Sequence, residues 1–263
     1  MSLLLKALNR KKKSRGSFVA QFPYREDDIV LASYPKSGST WLRFIVTALQ
    51  ADGEIDFLKT QLSVPELSND AVRHGVDFEA LPRPRFMRTH AEYIAQCPRV
   101  IYLLRDGRDV MVSFYFHYRK FQAFAGTFLE FLNHDNLPWK WDNHVESWIF
   151  SNPTLERVCV LRYEALLADT FGEVKKALRF AGVSIEDEQL RKAINECTFE
   201  KMKAVEKQHG LGYTDPGDPK IAFVRKGGHG NWRELFGDAE KQAFKERYGK
   251  ALVKCGYESS LDW

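Results

Sequence analysis

The most constraining feature of this sequence is a stretch near its beginning in which a strand, a tight loop and a helix follow one another. Ile29, Val30 and Leu31 form a short apolar, β-branched run, which is typical of a buried strand. Residues 34–38 interrupt this run, because a proline disfavours helix at the residue before it and a glycine permits close backbone approach. From Ser39 onward, apolar residues recur at helical spacing. The stretch therefore predicts a loop between a buried strand and a helix N-terminus.

The predicted loop has the composition of an anion-binding site. Backbone N–H groups at a helix N-terminus attract a phosphate. Lys36 adds a positive charge, and Ser37, Ser39 and Thr40 add hydroxyl donors. The stretch is not a P-loop, G-x-x-x-x-G-K-[ST], because Lys36 precedes Gly38 instead of following it. A turn that only caps a core helix remains the alternative.

Length and patterning favour a single α/β domain with a central parallel β-sheet flanked by helices. The chain has 263 residues, of which 44% are hydrophobic, enough for a sizeable core. Further strands are predicted at 86–89, 99–105 and 157–161, and strands alternating with helices indicate parallel crossovers. Helices are predicted over residues 110–120, 126–133, 139–150, 171–180, 186–196 and 238–254. Ligands of such sheets bind at the carboxyl ends of the strands.

Charge is concentrated at the N-terminus. The net charge is +4, but residues 1–17 carry six basic and no acidic residues, which leaves −2 for the rest. The body is therefore not basic, which argues against a nucleic-acid binder. No run of 18 apolar residues predicts a membrane span. We expect residues 1–17 to form a basic, flexible tail, with weak contact to anionic membranes as the alternative, and residues 18–263 to form the domain.

The cysteines do not form a recognisable framework. Cys97, Cys159, Cys197 and Cys255 are widely spaced and include no C-x-x-C pair. Neither a disulfide framework nor a zinc site is predicted, and the sequence shows no carboxylate cluster that would hold another metal. Scattered thiols of this kind are typical of a cytoplasmic protein, which is the location we expect.

A second phosphate site is suggested by residues 99–118. Arg105 lies at the end of a predicted strand, and Ser113 lies in the helix that follows. A guanidinium and a hydroxyl that converge at a strand end suit a phosphate. Taken alone, Arg105 could equally form a surface ion pair with Asp106 or Asp109.

A third basic block lies at the end of a long segment that is rich in glycine and proline. Arg225, Lys226 and Gly227 can surround a phosphate with cations and backbone N–H groups, although a basic glycine turn without a ligand is the alternative. We expect few backbone contacts to fix the segment 208–231, and we expect it to close as a lid when the donor binds.

These three blocks together resemble the motifs of the cytosolic-type sulfotransferases. YPKSGSTW at 34–41 differs from the usual YPKSGTTW only at Ser39, and RKGGHGNWRELF at 225–236 resembles RKGxxGDWKxxF with Asn231 and Arg233 as departures. The resemblance implies the donor 3′-phosphoadenosine 5′-phosphosulfate (PAPS), the product 3′,5′-adenosine bisphosphate (PAP), and no metal.

The resemblance also implies a role for individual residues. The implied 5′-phosphosulfate contacts are Lys36, Ser37, Gly38, Ser39 and Thr40, the implied 3′-phosphate contacts are Arg105, Ser113, Arg225, Lys226 and Gly227, and the implied adenine contacts are Trp41, Tyr163 and Phe199. Cys197 replaces the threonine that commonly touches adenine in the family.

The candidate base is His90. The segment FMRTH at 86–90 resembles the family's K-T-H segment, whose histidine deprotonates the acceptor hydroxyl, with Arg88 where lysine is common. The ordinary pKa of histidine suits this role near neutral pH. Lys36 would stabilise the leaving phosphate. His117 and His144 lie in predicted helices, and we expect them to be packing or surface residues.

The expected reaction is in-line sulfuryl transfer to a hydroxyl or amine. Aromatic residues are dense over 114–150, and some are expected to line an apolar acceptor pocket. A small, lipophilic phenol or alcohol is the first expectation and a lipid or polyketide chain the second. A P-loop-type nucleotide kinase and a catalytically inactive PAP- or PAPS-binding module are the alternatives. The family's dimer motif is not recognisable in 233–250, so the oligomeric state stays open.

Overall fold

The computed structural model describes residues 18–51, 53–134 and 140–263, and four parallel strands form its centre. The strands are β1 (Ile29–Ser33), β2 (Phe86–Thr89), β3 (Arg99–Leu104) and β4 (Val158–Arg162). They pair in the order β2-β1-β3-β4, and every pair is parallel. The predicted α/β fold with a central parallel sheet is confirmed. The tail at 1–17 lies outside the described residues, so its role stays a prediction.

Helices occupy the connections between the strands and follow β4. They are α1 (Ser39–Gln50), α2 (Phe57–Ser63), α3 (Asn69–Arg73), α4 (Gly107–Phe121), α5 (Phe128–Leu132), α6 (Trp141–Val145), α7 (Tyr163–Ala168), α8 (Thr170–Phe180), α9 (Asp187–Glu196), α10 (Phe199–His209) and α11 (Asp238–Lys254). A π-helical turn, Glu146–Phe150, continues α6, and 3₁₀ turns cover Leu155–Arg157 and Asn231–Glu234.

The core forms two apolar layers, one on each face of the sheet. Because side chains alternate along a strand, Val30 and Leu31 point to opposite faces. Val30 packs in a cluster with Phe114 of α4 and with residues of α6 and α11. Leu31 packs in the other cluster with Ile45 of α1 and with residues of α8 and α9.

Most of the aromatic residues between 114 and 150 belong to the first of these layers. Phe131, Trp141 and Trp148 are fully buried in it. Only Phe114 and Tyr118 of the described aromatic residues in this segment line the large cavity discussed below. Their density therefore reflects core packing far more than an acceptor pocket.

Two further observations concern the cysteines and the helices that might span a membrane. All four cysteines are free thiols, and Cys159 alone among them is half-buried rather than buried. Over the described part of the chain, no helix is both long enough and apolar enough to cross a membrane.

Candidate active site

Every strand of the sheet ends next to a residue that the sequence analysis selected. β1 leads into the loop that carries Lys36, β2 into His90, β3 into Arg105 and β4 into Tyr163. The strand register places these ends on one edge of the sheet. Ala32 of β1 lies opposite Thr89, the last residue of β2, and Ser33 of β1 lies opposite Leu103 of β3. All four of the selected residues line one cavity of about 880 Å³.

The cavity brings together almost the whole set of predicted site residues. Of that set, only Ser37 is not part of its lining. Ser37 is 1% exposed, and its N–H group donates to the carbonyl of Tyr34 over 3.3 Å. The serine therefore shapes the turn of the loop, and the other predicted residues are placed where a ligand can reach them.

The phosphate loop depends on glycine at position 38. Gly38 caps α1 in the left-handed conformation, with φ 98° and ψ 9°. A Cβ atom there would lie 2.5 Å from Cδ2 of Tyr163, closer than atoms can approach. Glycine thus allows the backbone to turn into α1 while the Tyr163 ring packs directly against it.

Lys36 is the cation of this loop. Its Nζ lies 4.1 Å from the centre of the Phe223 ring. Burial and, to a smaller extent, the nearby charges of Arg105 and Arg88 together lower the pKa of the Lys36 ammonium to about 7. The ammonium is therefore destabilised until an anion binds beside it.

Arg105 links the loop to the third basic block. Its side chain is 8% exposed and donates to the carbonyls of Lys36 over 3.0 Å and of Gly228 over 3.1 Å. Its guanidinium also lies 4.3 Å from the centre of the Tyr163 ring. The Nε atom is buried and has no hydrogen-bond partner among the described residues.

The two aspartates next to Arg105 have other partners. Asp106 forms an ion pair with Arg108 at 2.7 Å, and the surface ion pair considered for Arg105 is absent from the described contacts. Asp109 accepts the backbone N–H groups of Gly230 over 2.6 Å and of Trp232 over 2.9 Å. Asp109 therefore holds the glycine-rich loop against α4, and the sequence analysis assigned it no such role.

The remaining residues of the predicted 3′-phosphate group differ in their surroundings. The guanidinium of Arg225 lies over the Phe116 ring at 4.2 Å, and Ser113 lines the same part of the cavity. Lys226 is exposed, and its ammonium forms an ion pair with Glu234. Of these cations, Arg225 is therefore the one held against the cavity wall.

Three aromatic side chains form one end of the cavity. Trp41 and Tyr163 meet edge to face, with ring centres 6.2 Å apart. Phe199 begins α10, and a Cβ atom on Gly227 would lie 2.9 Å from its ring. The indole N–H of Trp41 is buried without a hydrogen-bond partner among the described residues. All three of the residues implied for adenine therefore line the cavity, and their role in binding adenine stays a prediction.

His90 faces the cavity with a defined tautomer. Its Nδ1 lies 2.7 Å from the carbonyl oxygen of Ser33, which can only accept a hydrogen bond. In the neutral ring Nδ1 therefore carries the proton, and Nε2 is the basic nitrogen. The indole N–H of Trp148 donates to the carbonyl of Ala91 over 2.9 Å, which fixes the chain directly after His90.

His117 does not fit the expectation of a packing or surface residue. His144 is fully buried, with its Nδ1 2.9 Å from the hydroxyl of Tyr102, and matches it. His117 instead lines the cavity. Burial, with Lys36 and His90 nearby, lowers the pKa of His117 to about 2, so its imidazole is neutral.

The segment 208–231 is fixed at many points, contrary to the expectation of few backbone contacts. Gln61 bonds to the carbonyl of Leu211 over 2.9 Å and to the N–H of Tyr213 over 3.0 Å. The ammonium of Lys120 donates to two carbonyls of the segment, and Glu206 accepts the N–H groups of residues 223 and 224 over 2.7 Å. Side chains from elsewhere in the chain supply these anchors, so contacts within the protein hold the segment.

Part of the cavity wall next to His90 was not predicted from the sequence. There, Arg88 pairs with Glu66, and Gln61 and Tyr213 lie in the same wall. No sequence spacing indicates this cluster, because its members come from segments that only the fold brings together.

The chain matches a known family and known structures. The family model described as "Sulfotransferase domain" matches residues 26–256. Sulfotransferase 1B1 of Canis lupus familiaris is 32% identical over 259 residues, which is 89% of this chain and 86% of that protein. Sulfotransferase 1C2 of Rattus norvegicus is 30% identical over 261 residues, which is 90% of this chain and 86% of that protein.

Two solved structures extend this similarity to the fold. Mouse sulfotransferase SULT7A1 complexed with PAP aligns with a TM-score of 0.70 and 26% identity, over 93% of both chains. Retinol dehydratase in complex with androsterone and PAP aligns with a TM-score of 0.69 and 22% identity, over 93% of this chain and 86% of the other.

Proposed function

Since this chain belongs to the sulfotransferase family, we infer that it is an enzyme that moves a sulfuryl group from PAPS to a hydroxyl or amine of a small molecule. PAP is the second product. The nucleotide-kinase alternative finds no support in the family or in the similar structures.

One observation carries this assignment. The four strand ends converge on a single cavity that holds a phosphate loop with Lys36, a buried guanidinium at Arg105, an aromatic end and a histidine. A nucleotide with two phosphates needs the first three of these features, and transfer to a hydroxyl needs the fourth.

We assign the donor's 5′-phosphosulfate to the loop at 36–40. The N-terminus of α1 and the Lys36 ammonium favour negative charge there. The 3′-phosphate is assigned to Arg105, Ser113 and the loop at 225–227, and adenine to the aromatic end. Arg105 donates to the carbonyl of Lys36, so one guanidinium couples the two phosphate sites.

The reaction itself needs one proton acceptor and one stabilised leaving group. Nε2 of His90 accepts the proton of the acceptor hydroxyl while the hydroxyl oxygen forms a bond to sulfur. The bond between sulfur and the bridging phosphate oxygen breaks, and that oxygen keeps the electron pair. Protonated Lys36 stabilises the charge that develops on this oxygen. The predicted absence of a metal requirement stays a prediction.

The acceptor is a small molecule in this proposal. One of the similar structures, that of retinol dehydratase, contains androsterone as well as PAP. This fold can therefore hold a ligand of the size of androsterone beside the nucleotide. The cytoplasmic location expected from the cysteines is kept as part of the proposal.

Binding and turnover together test this function. Calorimetry should show that PAP binds more tightly than adenosine 5′-phosphate, because only PAP presents a 3′-phosphate to Arg105. Radiolabelled PAPS should then pass its label to at least one member of a panel of phenols, alcohols and amines. Tight binding of PAP without transfer to any of them would favour the inactive binding module instead.

A further inference from the structure

Residues 255–263 follow α11 and contact the region beside the proposed 3′-phosphate site from outside the cavity. None of them is among the described residues that line it. The hydroxyl of Tyr257 donates to Oε2 of Glu164 over 3.0 Å, and Oε1 of that carboxylate accepts the N–H group of Asp106 over 3.0 Å. Since Asp106 directly follows Arg105, one carboxylate joins the segment 255–263 to a residue proposed to bind the phosphate.

Arg108 is the centre of a second set of contacts with this segment. Its buried side chain forms ion pairs with Asp106 at 2.7 Å and with Glu258. The guanidinium carbon lies 4.1 Å from the centre of the Trp232 ring and 4.6 Å from the centre of the Trp263 ring. The two rings meet edge to face, with their centres 5.7 Å apart. Two carboxylates and two indole rings thus surround one guanidinium.

Trp232 carries these contacts into the glycine-rich loop. It is 7% exposed, and its N–H group donates to Asp109 over 2.9 Å. The side-chain amide of the preceding residue, Asn231, donates to the carbonyl of Gly227 over 2.9 Å. A shift of the Trp232 ring would therefore move the backbone that presents residues 225–227 to the phosphate.

The loop itself offers little resistance to such a shift. Residues 225–232 include three glycines, and glycine loses more conformational freedom than other residues when it is ordered. A cation over an aromatic face is attracted most strongly where water is excluded, as it is around the buried Arg108. Opening one face of this guanidinium to water would weaken the anchor and populate other conformations of the loop. A ligand that needs the ordered loop would then bind more weakly, in proportion to the lost population.

We propose that Arg108 and Trp263 are positioning residues that set the selectivity for nucleotides with a 3′-phosphate. The inference rests on the proposed function, which assigns the 3′-phosphate to Arg105 and the loop at 225–227. Neither residue lines the cavity. Both act through Trp232, whose ring they hold and whose backbone belongs to the loop. The segment 255–263 thereby contributes to nucleotide recognition from outside the site.

Removal of the Trp263 ring tests the proposal. In a Trp263→Ala variant we expect the affinity for PAP to fall about fivefold or more, the lower end of the usual coupling between two sites, and the affinity for adenosine 5′-phosphate to change less than about twofold. A Trp263→Phe variant keeps an aromatic face beside the guanidinium and should lose less affinity for PAP than the alanine variant. Calorimetric titration with each nucleotide gives both affinities.

Another cation on an aromatic ring supplies the matched control. The guanidinium of Arg191 lies 4.0 Å from the centre of the Phe171 ring, and neither residue is among those described in the cavity lining. Phe171→Ala should therefore leave the ratio of the two affinities unchanged. A merely structural role of Trp263 would lower the midpoint of urea unfolding without changing that ratio, so both quantities are measured for each variant.

Hydrogen exchange reports on the loop directly. Without nucleotide, the N–H groups of Gly230 and Trp232, which Asp109 accepts, should exchange faster in Trp263→Ala than in the wild type. If the alanine variant does not fold, Glu258→Gln replaces it, because that change removes a charged partner of the Arg108 guanidinium. This variant should also lower the ratio of the affinity for PAP to that for adenosine 5′-phosphate.

The outcomes separate this inference from the function on which it rests. Equal weakening of both nucleotides, or an unchanged ratio in the folded variant, contradicts the positioning role. A similar loss of selectivity in the Phe171→Ala control contradicts it as well, since general destabilisation would then explain the result. A wild type that binds PAP no more tightly than adenosine 5′-phosphate contradicts the 3′-phosphate site of the proposed function itself.

Discussion

Lys36 is the residue whose charge should depend most on the ligand. In the absence of nucleotide, burial lowers the pKa of its ammonium to about 7, so the ammonium loses its proton as the pH rises through that value. A bound phosphate favours the charged form and raises the pKa again. We therefore expect the affinity for PAP to fall as the pH rises above about 7, and binding at about pH 8 to take up a proton.

Calorimetry at that pH in two buffers with different heats of ionisation measures the proton uptake. A Lys36→Met variant provides the control, since it has no group at this position that can take up the proton. Wild-type affinity that stays constant between about pH 7 and pH 9 would contradict the assignment.

A substitution at Gly38 tests how closely the phosphate loop packs against the Tyr163 ring. A Gly38→Ala change adds a Cβ atom that would lie 2.5 Å from the Tyr163 ring, so the ring or the loop must move. We expect PAP affinity to fall by about tenfold or more, the effect of losing one good charge-assisted hydrogen bond. The measurement is PAP titration of the purified variant.

Gly75 offers a matched control for that change. Its φ of +84° is also left-handed, but a Cβ atom there would meet nothing within 4 Å. Gly75→Ala should therefore impose a similar backbone strain and leave PAP affinity unchanged. Equal loss of affinity in both variants would show that general strain, and not the contact with Tyr163, explains the result.

At the scale of elements, the glycine-rich loop is attached to α4 by one carboxylate. Asp109 is 2% exposed and accepts two backbone N–H groups from residues 230 and 232. An Asp109→Ala change should loosen the loop and weaken PAP binding by about 1.5–3 kcal/mol, the usual value for hydrogen bonds to a charged group. Binding of adenosine 5′-phosphate should change much less, because it places no phosphate at this loop.

A carboxylate elsewhere provides the comparison for Asp109. Asp169 accepts the N–H group of Gly172 over 2.8 Å at the start of α8 and does not line the cavity. Asp169→Ala should leave the affinities for both nucleotides unchanged. If Asp109→Ala weakens both nucleotides equally, the loop does not distinguish the 3′-phosphate.

The elements themselves were largely predictable from local patterns. β1, β3 and α11 follow from short apolar runs or helical spacing, and the loop before α1 follows from its proline and glycine. α10 was missed, although Thr198 accepts the N–H group of Lys201 at its start, and Met202 lies on its buried side. A capping threonine followed by apolar residues three apart was the available signal.

The rigidity of the segment 208–231 could not be predicted from its composition. Glycine and proline suggested mobility, but Gln61 holds Leu211 across 150 residues of sequence. Such side-chain bonds to distant backbone groups have no local pattern. The proposed nucleotide contacts lie next to strand ends, where local patterns can indicate them. No local pattern indicates the Arg88–Glu66 pair, because only the fold brings its two members together.

At the scale of the whole molecule, one buried ion pair joins the starts of two strands. Asp28 precedes β1 and Arg85 precedes β2; both side chains are fully buried, and Nη2 of Arg85 lies 2.6 Å from Oδ2 of Asp28. Removing Asp28 takes away the two-bond partner of this buried guanidinium and leaves it only the exposed carboxylate of Glu79, 3.1 Å away, among the described ion pairs. Asp28→Ala should therefore lower the free energy of unfolding by about 3–5 kcal/mol in urea denaturation.

The adjacent residue supplies the control for this pair. Asp27 bonds to the exposed side chain of Arg83, and solvent screens that pair. Asp27→Ala should leave the unfolding midpoint nearly unchanged. Similar losses in the two variants would contradict the special contribution of the buried pair to the fold.

The central claim is direct sulfuryl transfer from PAPS with His90 as the base, and a single turnover with radiolabelled PAPS tests it most directly. With enzyme in excess and a panel of small phenols, alcohols and amines, the wild type should pass the label to an acceptor and retain none on the protein. His90→Ala should bind PAP normally and transfer the label ~10²–10⁴-fold more slowly. Label retained on the protein, or an unchanged rate in the variant, would contradict the account.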